Sequence, residues 1–498
     1  MIYFNGMTPT FTRLTLAYIS RRFLSTTACR LSKKVAVVGA GPSGFYTSLN
    51  LLKDNDPSLQ IDMFERNPCP FGLVRYGVAP DHPEVKNCQE RFQDTRKDER
   101  FKYYGNVTVG IDLKLKELYD NYDIVVYAYG SNKENKLGIP GEDDHPGIIN
   151  SKAFVGWYNG SPEYKDLDPP LDKVKSVVII GNGNVAIDIA RVLLAPIESH
   201  WKMTDISRHA IEQLGKSKVE KVTIVARKGF LESKFTNKEF KELFELYKEG
   251  VYFGGWPKQK FVTLQDLKLG RVDKRRLSLV NKYKGLLEKE TAGGKTPRRV
   301  WYLDYLKSPI GFKVNRADPE LLEEVIFRDN SIKIERIPNT RSYRSIITPT
   351  EGFSSINCQL VIPSIGYKCK PLPEFKKLGI PFDEKKGVIP NVDGKVIGRN
   401  DSYCVGWVAN GSRGNINSTV MTSGLLAEII QEQLNAKNNN IDKPGRKVME
   451  ELLDKRNVNV VNWDDWTTIE AFEKMKGKES GKPMEKVTDF KEMLNICK

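Results

Sequence analysis

The 498-residue sequence predicts an α/β fold with two strand–turn–helix units in one chain. In the first unit, the apolar run Val35–Val38 is followed by a Gly-rich turn and an apolar helix. A second unit of the same order begins with the apolar run Val177–Ile180. The chain is also too long for one hydrophobic core, which predicts two or more domains.

The first Gly-rich turn has the composition of a phosphate-binding loop. Gly39 permits the tight turn, Gly41 lets backbone N–H groups approach a pyrophosphate, and Gly44 allows the helix to pack closely on the strand. The N-terminus of that helix favours negative charge. The next strand ends at Glu65, whose carboxylate can accept hydrogen bonds from ribose hydroxyls. The first unit therefore predicts a Rossmann-like dinucleotide-binding domain.

The second Gly-rich turn reads Gly181-x-Gly183-x-x-Ala186, and alanine is tolerated at the third position. The strand that follows this unit ends at Arg227-Lys228 rather than at an acidic residue. A carboxylate there would repel a 2′-phosphate, whereas two cations attract it. The second unit is therefore predicted to bind NADP rather than NAD. The alternative is that both cations only face solvent.

The rest of the chain adds strands, a boundary and a tail. Further strands are predicted at 106–111, 122–129, 325–327, 332–337 and 358–368, the last of which returns the chain to the first domain. The turn-rich segment 131–150 predicts a domain boundary. The charged tail 440–498 has a helical pattern, and Trp463 and Trp466 are expected to dock it.

The first 32 residues differ in composition from the rest. They are rich in hydroxyl side chains, contain no acidic residue, and include Arg13, Arg21, Arg22 and Arg30. Such a leader is typical of a mitochondrial presequence, and the alternative is a disordered basic tail. No apolar run approaches the roughly 20 residues of a membrane span, so we expect a soluble or peripheral protein.

The formal net charge of +15 is unevenly distributed. Residues 215–300 hold 22 Lys and Arg residues against 10 Asp and Glu residues. A concentrated basic patch steers an acidic partner, although such a patch can also be only a solvated face. The predicted partner-binding residues are Lys241, Arg271, Lys274, Arg275 and Arg276.

Cysteine and histidine usage argues against a metal centre. The seven cysteines include no CxxC pair, and the chain has four histidines. These residues give no zinc or iron–sulfur ligand spacing, so we expect no metal site in the protein itself. Reduced, structural thiols are the default expectation.

Several longer motifs resemble the NADPH:adrenodoxin oxidoreductase family, whose members are also called ferredoxin–NADP reductases. These motifs extend over residues 34–498 and read VGAGPSGFYTSLNLL, PFGLVRYGVAPDHPEVKN, AFVGWYNG, IGNGNVAIDIARVLL, PSIGYK, KGVIPNV and GKPMEK. The resemblance implies a glutathione-reductase-like fold with the NADP domain inserted in the FAD domain. The implied organisation is a presequence at 1–32, the first segment of the FAD-binding domain at 33–135, the NADPH-binding domain at 136–359, and the second segment of the FAD-binding domain with the C-terminal tail at 360–498.

The same resemblance implies a function and a location. The expected enzyme is FAD-dependent, takes a hydride from NADPH and passes single electrons to an acidic, adrenodoxin-like 2Fe–2S ferredoxin. The expected location is the mitochondrial matrix, at the matrix face of the inner membrane, with peripheral membrane association and no nucleic-acid partner. The implied downstream use is in iron–sulfur cluster, haem A or steroid pathways.

The resemblance also assigns cofactor contacts by position. The implied FAD site comprises Gly39, Gly41, Pro42, Ser43, Gly44, Glu65, Arg66, Leu73, Val109, Trp407, Gly414, Asn415 and Ile416. The implied NADPH site comprises Asn182, Gly183, Asn184, Val185, Arg227, Lys228 and Glu239, with Gly414 near the nicotinamide. In one departure from the family, Lys228 stands where an arginine is usual, which keeps the charge but loses the bidentate fork. In another, the turn GNINS is more polar than the family's usual turn.

His82 and Asp188 are the pair that the resemblance places near the flavin and nicotinamide rings, as the candidate catalytic residues. Hydride transfer to the flavin needs no strong acid or base. We therefore expect these residues to position the rings, with proton exchange with reduced flavin as a further role. A histidine in a Pro-rich loop is more often structural, and only the surrounding motif VAPDHPEVKN favours a role at the site.

Other classes of protein remain open at this point. The nearest is an NADPH-dependent flavoprotein of the glutamate synthase small-subunit type, which normally carries an N-terminal Cys-rich cluster domain that this sequence does not show. A flavin monooxygenase would consume oxygen together with NADPH. A basic RNA-binding protein could use residues 215–300, but no RNP-like aromatic run or GXXG loop supports that interpretation.

Overall fold

The computed structural model describes residues 32–131, 133–143, 145–255, 269–294, 297–337, 343–414, 416–436 and 442–498. The predicted presequence therefore lies outside the described residues, apart from Ser32. The strands, in chain order, are β1 Lys33–Val38, β2 Leu59–Phe64, β3 Phe101–Tyr104, β4 Ile124–Tyr127, β5 Lys133–Glu134, β6 Ser176–Ile180, β7 Lys221–Ala226, β8 Val251–Gly255, β9 Arg299–Tyr305, β10 Lys307–Val314, β11 Leu322–Arg336, β12 Tyr343–Asn357, β13 Leu360–Pro363, β14 Tyr367–Lys368, β15 Asn391–Val392, β16 Lys395–Val396 and β17 Ser402–Cys404.

The helices lie mostly between these strands. In chain order they are α1 Pro42–Leu52, α2 Leu73–Tyr76, α3 Pro83–Lys86, α4 Cys88–Phe92, α5 Leu115–Asn121, α6 Ser151–Tyr158, α7 Asn184–Leu194, α8 Arg208–Gly215, α9 Asn237–Glu245, α10 Arg271–Tyr283, α11 Leu286–Ala292, α12 Trp407–Asn410, α13 Ile416–Ala436, α14 Arg446–Lys455, α15 Trp463–Glu479 and α16 Phe490–Ile496. In the described part of the chain, none of them combines the length and the apolar character that a membrane span requires.

The first sheet has seven strands in the order β15-β16-β17-β4-β1-β2-β3. β1 lies inside the sheet, parallel to β2 on one side and to β4 on the other. Val35 and Val37 of β1 are fully buried, because both faces of a parallel sheet are covered by other elements. On one face α1 packs against α13, where the Ser423 hydroxyl donates a hydrogen bond to the Ser43 carbonyl oxygen. This sheet contains the first predicted strand–turn–helix unit.

The second sheet has five parallel strands in the order β13-β6-β7-β9-β8. It contains the second predicted unit, in which α7 connects β6 to the strand beside it. The prediction that residues 358–368 return the chain to the first domain as a strand is wrong. β13 pairs in parallel with β6, with Leu360 opposite Val177, and all of its residues are buried. The chain leaves the second sheet only after Pro363, so the predicted limit at 359/360 lies too early.

A third, antiparallel sheet has the order β10-β11-β12 and follows β9 in the chain. The two short strands predicted at 325–327 and 332–337 are one continuous strand, because β11 pairs with β12 along nearly its whole length. The strand predicted at 106–111 is also absent from this described segment. The edge strand β3 ends at Tyr104, and the positive φ of Asn106 (57°) turns the chain out of the sheet.

The C-terminal tail is helical, as predicted, and it packs on the first unit. Trp466 and Trp463 of α15 are buried in the core of that unit. The guanidinium of Arg75 in α2 forms an ion pair with Glu473 of α15, and both side chains are almost completely buried. The ring of Trp466 lies 5.1 Å from Arg75 Cζ. A buried charge pair therefore anchors the tail to the first unit.

A second set of charges connects the tail to the other unit. Asp205, which precedes α8, lies 2.7 Å from Lys86 Nζ and 2.9 Å from Lys486 Nζ. Burial and the nearby Lys486 lower the pKa of Lys86 to about 8, although Asp205 opposes this shift. The tail therefore contacts both parallel-sheet units.

The buried ion pair predicts a large loss of stability on truncation. In Glu473→Ala the guanidinium of Arg75 stays buried without its partner, which should lower the free energy of unfolding by about 3–5 kcal/mol. Asp94→Ala is the matched control, because Asp94 pairs with Lys97 at 2.8 Å on the surface, and its loss should cost at most about 1 kcal/mol. Denaturant titration of both variants measures the difference, and equal losses would contradict the prediction.

Candidate active site

The first Gly-rich turn has the shape that its sequence predicts. Gly39 has a φ of +108°, and an added Cβ would lie 2.6 Å from the backbone of Tyr129. An added Cβ at Gly44 would lie 2.3 Å from the Gly39 carbonyl oxygen. Gly41 differs, because no described residue has an atom within 4 Å of its Cβ position. The turn is thus closed against protein at two glycines and open at the third. We call Gly39–Gly44 the first cradle.

The carboxylate of Glu65 supports the first cradle from the end of β2. One of its oxygens accepts a hydrogen bond from Ala40 N at 2.9 Å, and the other accepts one from Asn67 N at 3.0 Å. Burial raises the pKa of Glu65, and these backbone hydrogen bonds oppose the shift. A carboxylate oxygen has further acceptor capacity, so hydrogen bonds to ribose hydroxyls remain compatible with this geometry.

Two other segments lie against the first cradle. An added Cβ at Gly72, just before α2, would lie 3.6 Å from Gly41 Cα, and Leu73 follows it with an exposed side chain. An added Cβ at Gly406 would lie 2.7 Å from Ser43 Oγ, which places the start of α12 at the N-terminus of α1. Trp407 stacks on Tyr367 with ring centroids 5.9 Å apart.

The remaining residues of the predicted FAD site differ in burial and in their contacts. Arg66 forms an ion pair with Glu163, and Val109 is buried. Gly414 is exposed, and Ile416 begins α13. Asn415 lies outside the described residues.

The second Gly-rich turn repeats the geometry of the first. Gly181 has a φ of +132°, and an added Cβ would lie 2.0 Å from the Ser364 carbonyl oxygen. At Gly183, the residue before α7, the Cβ position likewise has no atom within 4 Å in the part of the chain that the structure describes. Ala186, at the third position, is fully buried. We call Gly181–Ala186 the second cradle.

Asn182 and Asn184 attach the second cradle to residues 234–236. The Asn182 carbonyl oxygen accepts hydrogen bonds from Lys234 N and Phe235 N, and the Asn184 side chain accepts one from Thr236 N at 2.8 Å. Val185 is half-buried beside them. These contacts fix the loop that leads into α9.

Arg227 and Lys228 follow β7 directly, and both side chains are exposed. They lie at the end of the strand next to β6, which is where a Rossmann unit distinguishes NADP from NAD. Glu239 on α9 is different, because its Oε2 is buried and has no hydrogen-bond partner among the described residues.

A network of buried charges connects the two units between the cradles. Arg191 of α7 is fully buried, and it donates two hydrogen bonds to Asp81, at 2.9 and 2.8 Å. Asp81 belongs to the loop of the first unit that precedes α3. His200 Nε2 also lies 3.1 Å from Asp81. Burial opposes the ionised form of Asp81, but His200 and Arg191 hold the pKa of its carboxyl well below the usual range.

His82 belongs to this network, with a partner that the sequence did not predict. Its Nε2 lies 2.8 Å from Glu242 Oε2 on α9 and 3.3 Å from Arg191 Nη2. Burial alone would lower the pKa of His82, but the hydrogen bond with Glu242 outweighs it and the pKa is raised. His82 therefore holds a proton toward Glu242 at a pH where a free imidazole loses one.

Asp188 lies one helical turn before Arg191, with its Oδ1 3.0 Å from Arg191 Nη1. Burial, reinforced by the charge of Asp81, raises the pKa of Asp188 to about 6 although Arg191 opposes the shift. The buried hydroxyl of Tyr158 and the buried Glu239 Oε2 have no hydrogen-bond partner among the described residues. Unpaired polar atoms of this kind are expected where a ligand supplies the missing partner. With the two open glycines, they fit sites for two dinucleotides.

The sequence singles out His82 and Asp188 of this network as candidates, but not Asp81, Arg191, Glu242 and His200. A usable signal existed for two of these residues. Asp81 is adjacent to His82, and Arg191 follows Asp188 by three positions on an otherwise apolar helix. Glu242 and His200 come from other elements, so only the fold brings them together.

The predicted partner-binding residues separate into exposed and buried groups. Arg271, Lys274 and Arg275 are exposed on α10, and Lys241 is exposed on α9. The prediction of Arg276 as a surface contact is wrong. Its guanidinium lies 5.1 Å from the ring of Phe235 and donates a hydrogen bond to that residue's carbonyl oxygen. Its position in the helix turns it toward the core.

Comparison with known proteins finds a family model, curated relatives and a solved structure that are similar to this chain. Residues 33–253 match the family model described as pyridine nucleotide-disulphide oxidoreductase. The mitochondrial NADPH:adrenodoxin oxidoreductase of Bos taurus is 39% identical, over 93% of this chain and 92% of the relative. The probable mitochondrial NADPH:adrenodoxin oxidoreductase of Saccharomyces cerevisiae is 36% identical, over 96% and 99%. The solved structure of Mycobacterium tuberculosis FprA in complex with NADPH matches with a TM-score of 0.81 at 33% identity, over 94% of this chain and 99% of that chain.

The open glycine of the first cradle gives a direct test of cofactor binding. The methyl group of Gly41→Ala meets no atom of the described residues, and the backbone there is already extended, so we expect a folded protein. Its methyl group occupies the space in front of the helix N-terminus, so FAD should be lost. Gly270→Ala is the matched control, since Gly270 is also an extended residue before a helix, and among the described residues the atom nearest to its added Cβ is 3.8 Å away.

Flavin absorbance and melting temperature of both purified variants measure the outcome. Normal flavin content in a folded Gly41→Ala protein would remove the first cradle from the cofactor site.

Proposed function

The chain belongs to the NADPH:adrenodoxin oxidoreductase family, and we therefore propose that it carries electrons from NADPH, through FAD, to an adrenodoxin-like 2Fe–2S ferredoxin. The protein is an oxidoreductase that uses FAD and NADPH. The fold class, the enzyme class and the two cofactors predicted from the sequence are thereby confirmed. The alternative of a glutamate synthase small-subunit type is not favoured, since these relatives match along nearly their whole length.

The first cradle is the proposed FAD site. FAD accepts a hydride and releases its electrons singly, which is the chemistry required between a two-electron donor and a one-electron acceptor. Gly41 leaves room for the pyrophosphate at the N-terminus of α1, and Glu65 holds the ribose. The further proposed contacts are Gly39, Pro42, Ser43, Gly44, Arg66, Leu73, Val109, Trp407, Gly414, Asn415 and Ile416.

The second cradle is the proposed NADPH site. Gly183 leaves room for the pyrophosphate at the N-terminus of α7, and Arg227 and Lys228 attract the 2′-phosphate. Lysine acts here as a point charge, whereas arginine can make two parallel hydrogen bonds. The other proposed contacts are Asn182, Asn184, Val185, Glu239 and Gly414.

The charge network between the cradles has a positioning role. Arg191 holds Asp81 of the first unit against α7 of the second, which fixes the relation between the two cradles. His82 and Glu242 hold a proton between them at 2.8 Å, and Asp188 changes its charge near pH 6. These residues can hold or release a proton beside the rings without making or breaking bonds to carbon.

The named relatives are mitochondrial proteins, so we infer a mitochondrial location for this chain. The proposed finer location is the matrix face of the inner membrane, reached by a presequence at 1–32, with peripheral membrane association and no nucleic-acid partner. The proposed downstream pathways are iron–sulfur cluster, haem A or steroid synthesis.

One observation carries the coenzyme assignment. The strand after the first cradle ends at a carboxylate, Glu65, whereas the strand after the second ends at Arg227-Lys228. Two charge-assisted contacts with the 2′-phosphate should favour NADPH over NADH by about 100-fold or more in kcat/KM. Reduction of a mitochondrial 2Fe–2S ferredoxin with each coenzyme measures this ratio, and a small electron-acceptor dye serves as the control. Equal use of both coenzymes would contradict the assignment.

The exposed cations of α10 form the proposed ferredoxin-docking surface. Reversing two of them, as in Lys274→Glu with Arg275→Glu, should raise the KM for ferredoxin about 10-fold or more at low salt. Dye reduction should stay normal, because a neutral dye needs no charged surface. Lys377→Glu is the matched control, since Lys377 is exposed and lies outside α10. If the double variant reduced dye and ferredoxin equally poorly, the substitutions would impair the enzyme as a whole and not ferredoxin docking.

A further inference from the structure

The connection between the second and third sheets is a sharp corner at Leu306. This residue lies between β9 and β10 and has a φ of +60°, a backbone conformation that is unusual for leucine. β9 belongs to the parallel sheet beside β7, and β10 begins the antiparallel sheet. The corner therefore brings the third sheet next to the end of β7, where Arg227 and Lys228 are.

The corner holds the backbone of both cations. Asn330 Nδ2 on β11 donates a hydrogen bond to the Arg227 carbonyl oxygen at 3.3 Å. Leu306 N donates one to the Lys228 carbonyl oxygen at 3.3 Å. Each of the two consecutive carbonyl groups thus has its own donor, while both side chains stay exposed.

Asn330 is itself fixed by the same corner. It is buried, its Nδ2 also donates to Ser308 Oγ at 2.9 Å, and its backbone N donates to the Leu306 carbonyl oxygen at 2.8 Å. A buried side chain with these contacts has little freedom to change rotamer. Its hydrogen bond to Arg227 therefore transmits the position of the third sheet to the end of β7.

We propose that Asn330 is a positioning residue for coenzyme selection, holding Arg227 where it meets the 2′-phosphate of NADPH. The inference rests on the proposed NADPH site. Long basic side chains lose rotamer freedom when they bind a phosphate, and a mobile backbone would add to that loss. Fixing the backbone beforehand lowers the entropic cost of binding. Because NADH has no 2′-phosphate, its binding does not depend on Asn330.

The test compares Asn330→Ala with a matched control in the same strand. Asn330→Ala should raise the KM for NADPH and the dissociation constant for 2′,5′-ADP by about 3- to 10-fold, the effect of losing one hydrogen bond. The kcat, the KM for NADH and the affinity for 5′-ADP should not change. Ser331→Ala is the control, since its exposed hydroxyl donates to Thr348 O, at 3.2 Å, on the neighbouring strand and not to Arg227 or Lys228.

Asn330→Asp is a second variant of the same size, which replaces the amide donor with a carboxylate oxygen that repels the Arg227 carbonyl, so it should weaken 2′,5′-ADP binding at least as much as Asn330→Ala does. Calorimetric binding of 2′,5′-ADP and 5′-ADP gives a readout that is independent of turnover. A matching loss for both nucleotides, or an unchanged affinity for 2′,5′-ADP, would overturn the inference. Flavin content and melting temperature confirm that each variant is folded.

Arg227→Ala separates failure of the inference from failure of the proposed site. If Arg227→Ala weakens 2′,5′-ADP binding but Asn330→Ala does not, the site is correct and the positioning role is wrong. If neither variant changes 2′,5′-ADP binding, the proposed phosphate site is wrong, and the inference is wrong with it. If both roles are correct, adding Asn330→Ala to Arg227→Ala should weaken binding by less than Asn330→Ala does alone.

Discussion

The guanidinium of Arg191 is completely buried, and the carboxylate that it binds most closely belongs to the other unit of the molecule. A charge in such a place is strongly destabilising unless ion pairs and hydrogen bonds compensate it. Asp81 of the first unit accepts two hydrogen bonds from Arg191, and Asp188 of α7 supplies a second negative charge. The part of this compensation that Asp81 supplies exists only when the loop of the first unit lies against the helix of the second. Pairing of Arg191 therefore constrains the separation of the two cradles.

The two cradles are alike in geometry, but the strands that follow them end at residues of opposite charge. In each, one glycine is closed against a backbone and another is open at a helix N-terminus, so each can accept a pyrophosphate. The difference lies in the residue that ends the following strand. Glu65 is buried and accepts backbone hydrogen bonds, whereas Arg227 and Lys228 have exposed side chains and backbone carbonyls that accept hydrogen bonds. This asymmetry suits a tightly bound nucleotide at the first cradle and an exchangeable nucleotide with a 2′-phosphate at the second.

The cradles were predictable from sequence because local steric limits require glycine at these positions. Gly39 and Gly181 have positive φ and no room for a Cβ, and this requirement is visible in a spacing of a few residues. The Arg191 network was not predictable, since its members come from separate elements and meet only in the folded chain. Arg276 was misread for a related reason. A run of basic residues suggests an exposed surface, but in a helix every third or fourth residue lies on the face that packs against the core.

The strands predicted wrongly from the sequence are those whose position and length depend on pairing with residues far away in the chain. Residues 360–363 are apolar enough for either parallel sheet, and only the edge offered by β6 selects the second. Residues 322–336 contain polar breaks that suggest two strands, yet β12 pairs across those breaks. By contrast, Val35–Val38 was predicted correctly, because a short apolar run before a Gly-rich turn has few other structures available.

Hydride transfer requires that the two cradles bring a bound flavin and NADPH together. Rapid anaerobic mixing of the purified flavoprotein with NADPH, either unlabelled or deuterated at the transferred C4 position, follows this step alone. We expect the visible flavin band to bleach in a single turnover, more slowly with the deuterated coenzyme and far more slowly with NADH. A flavin band that stays oxidised with NADPH, or that bleaches as fast with NADH, would contradict the proposed arrangement of the two cradles.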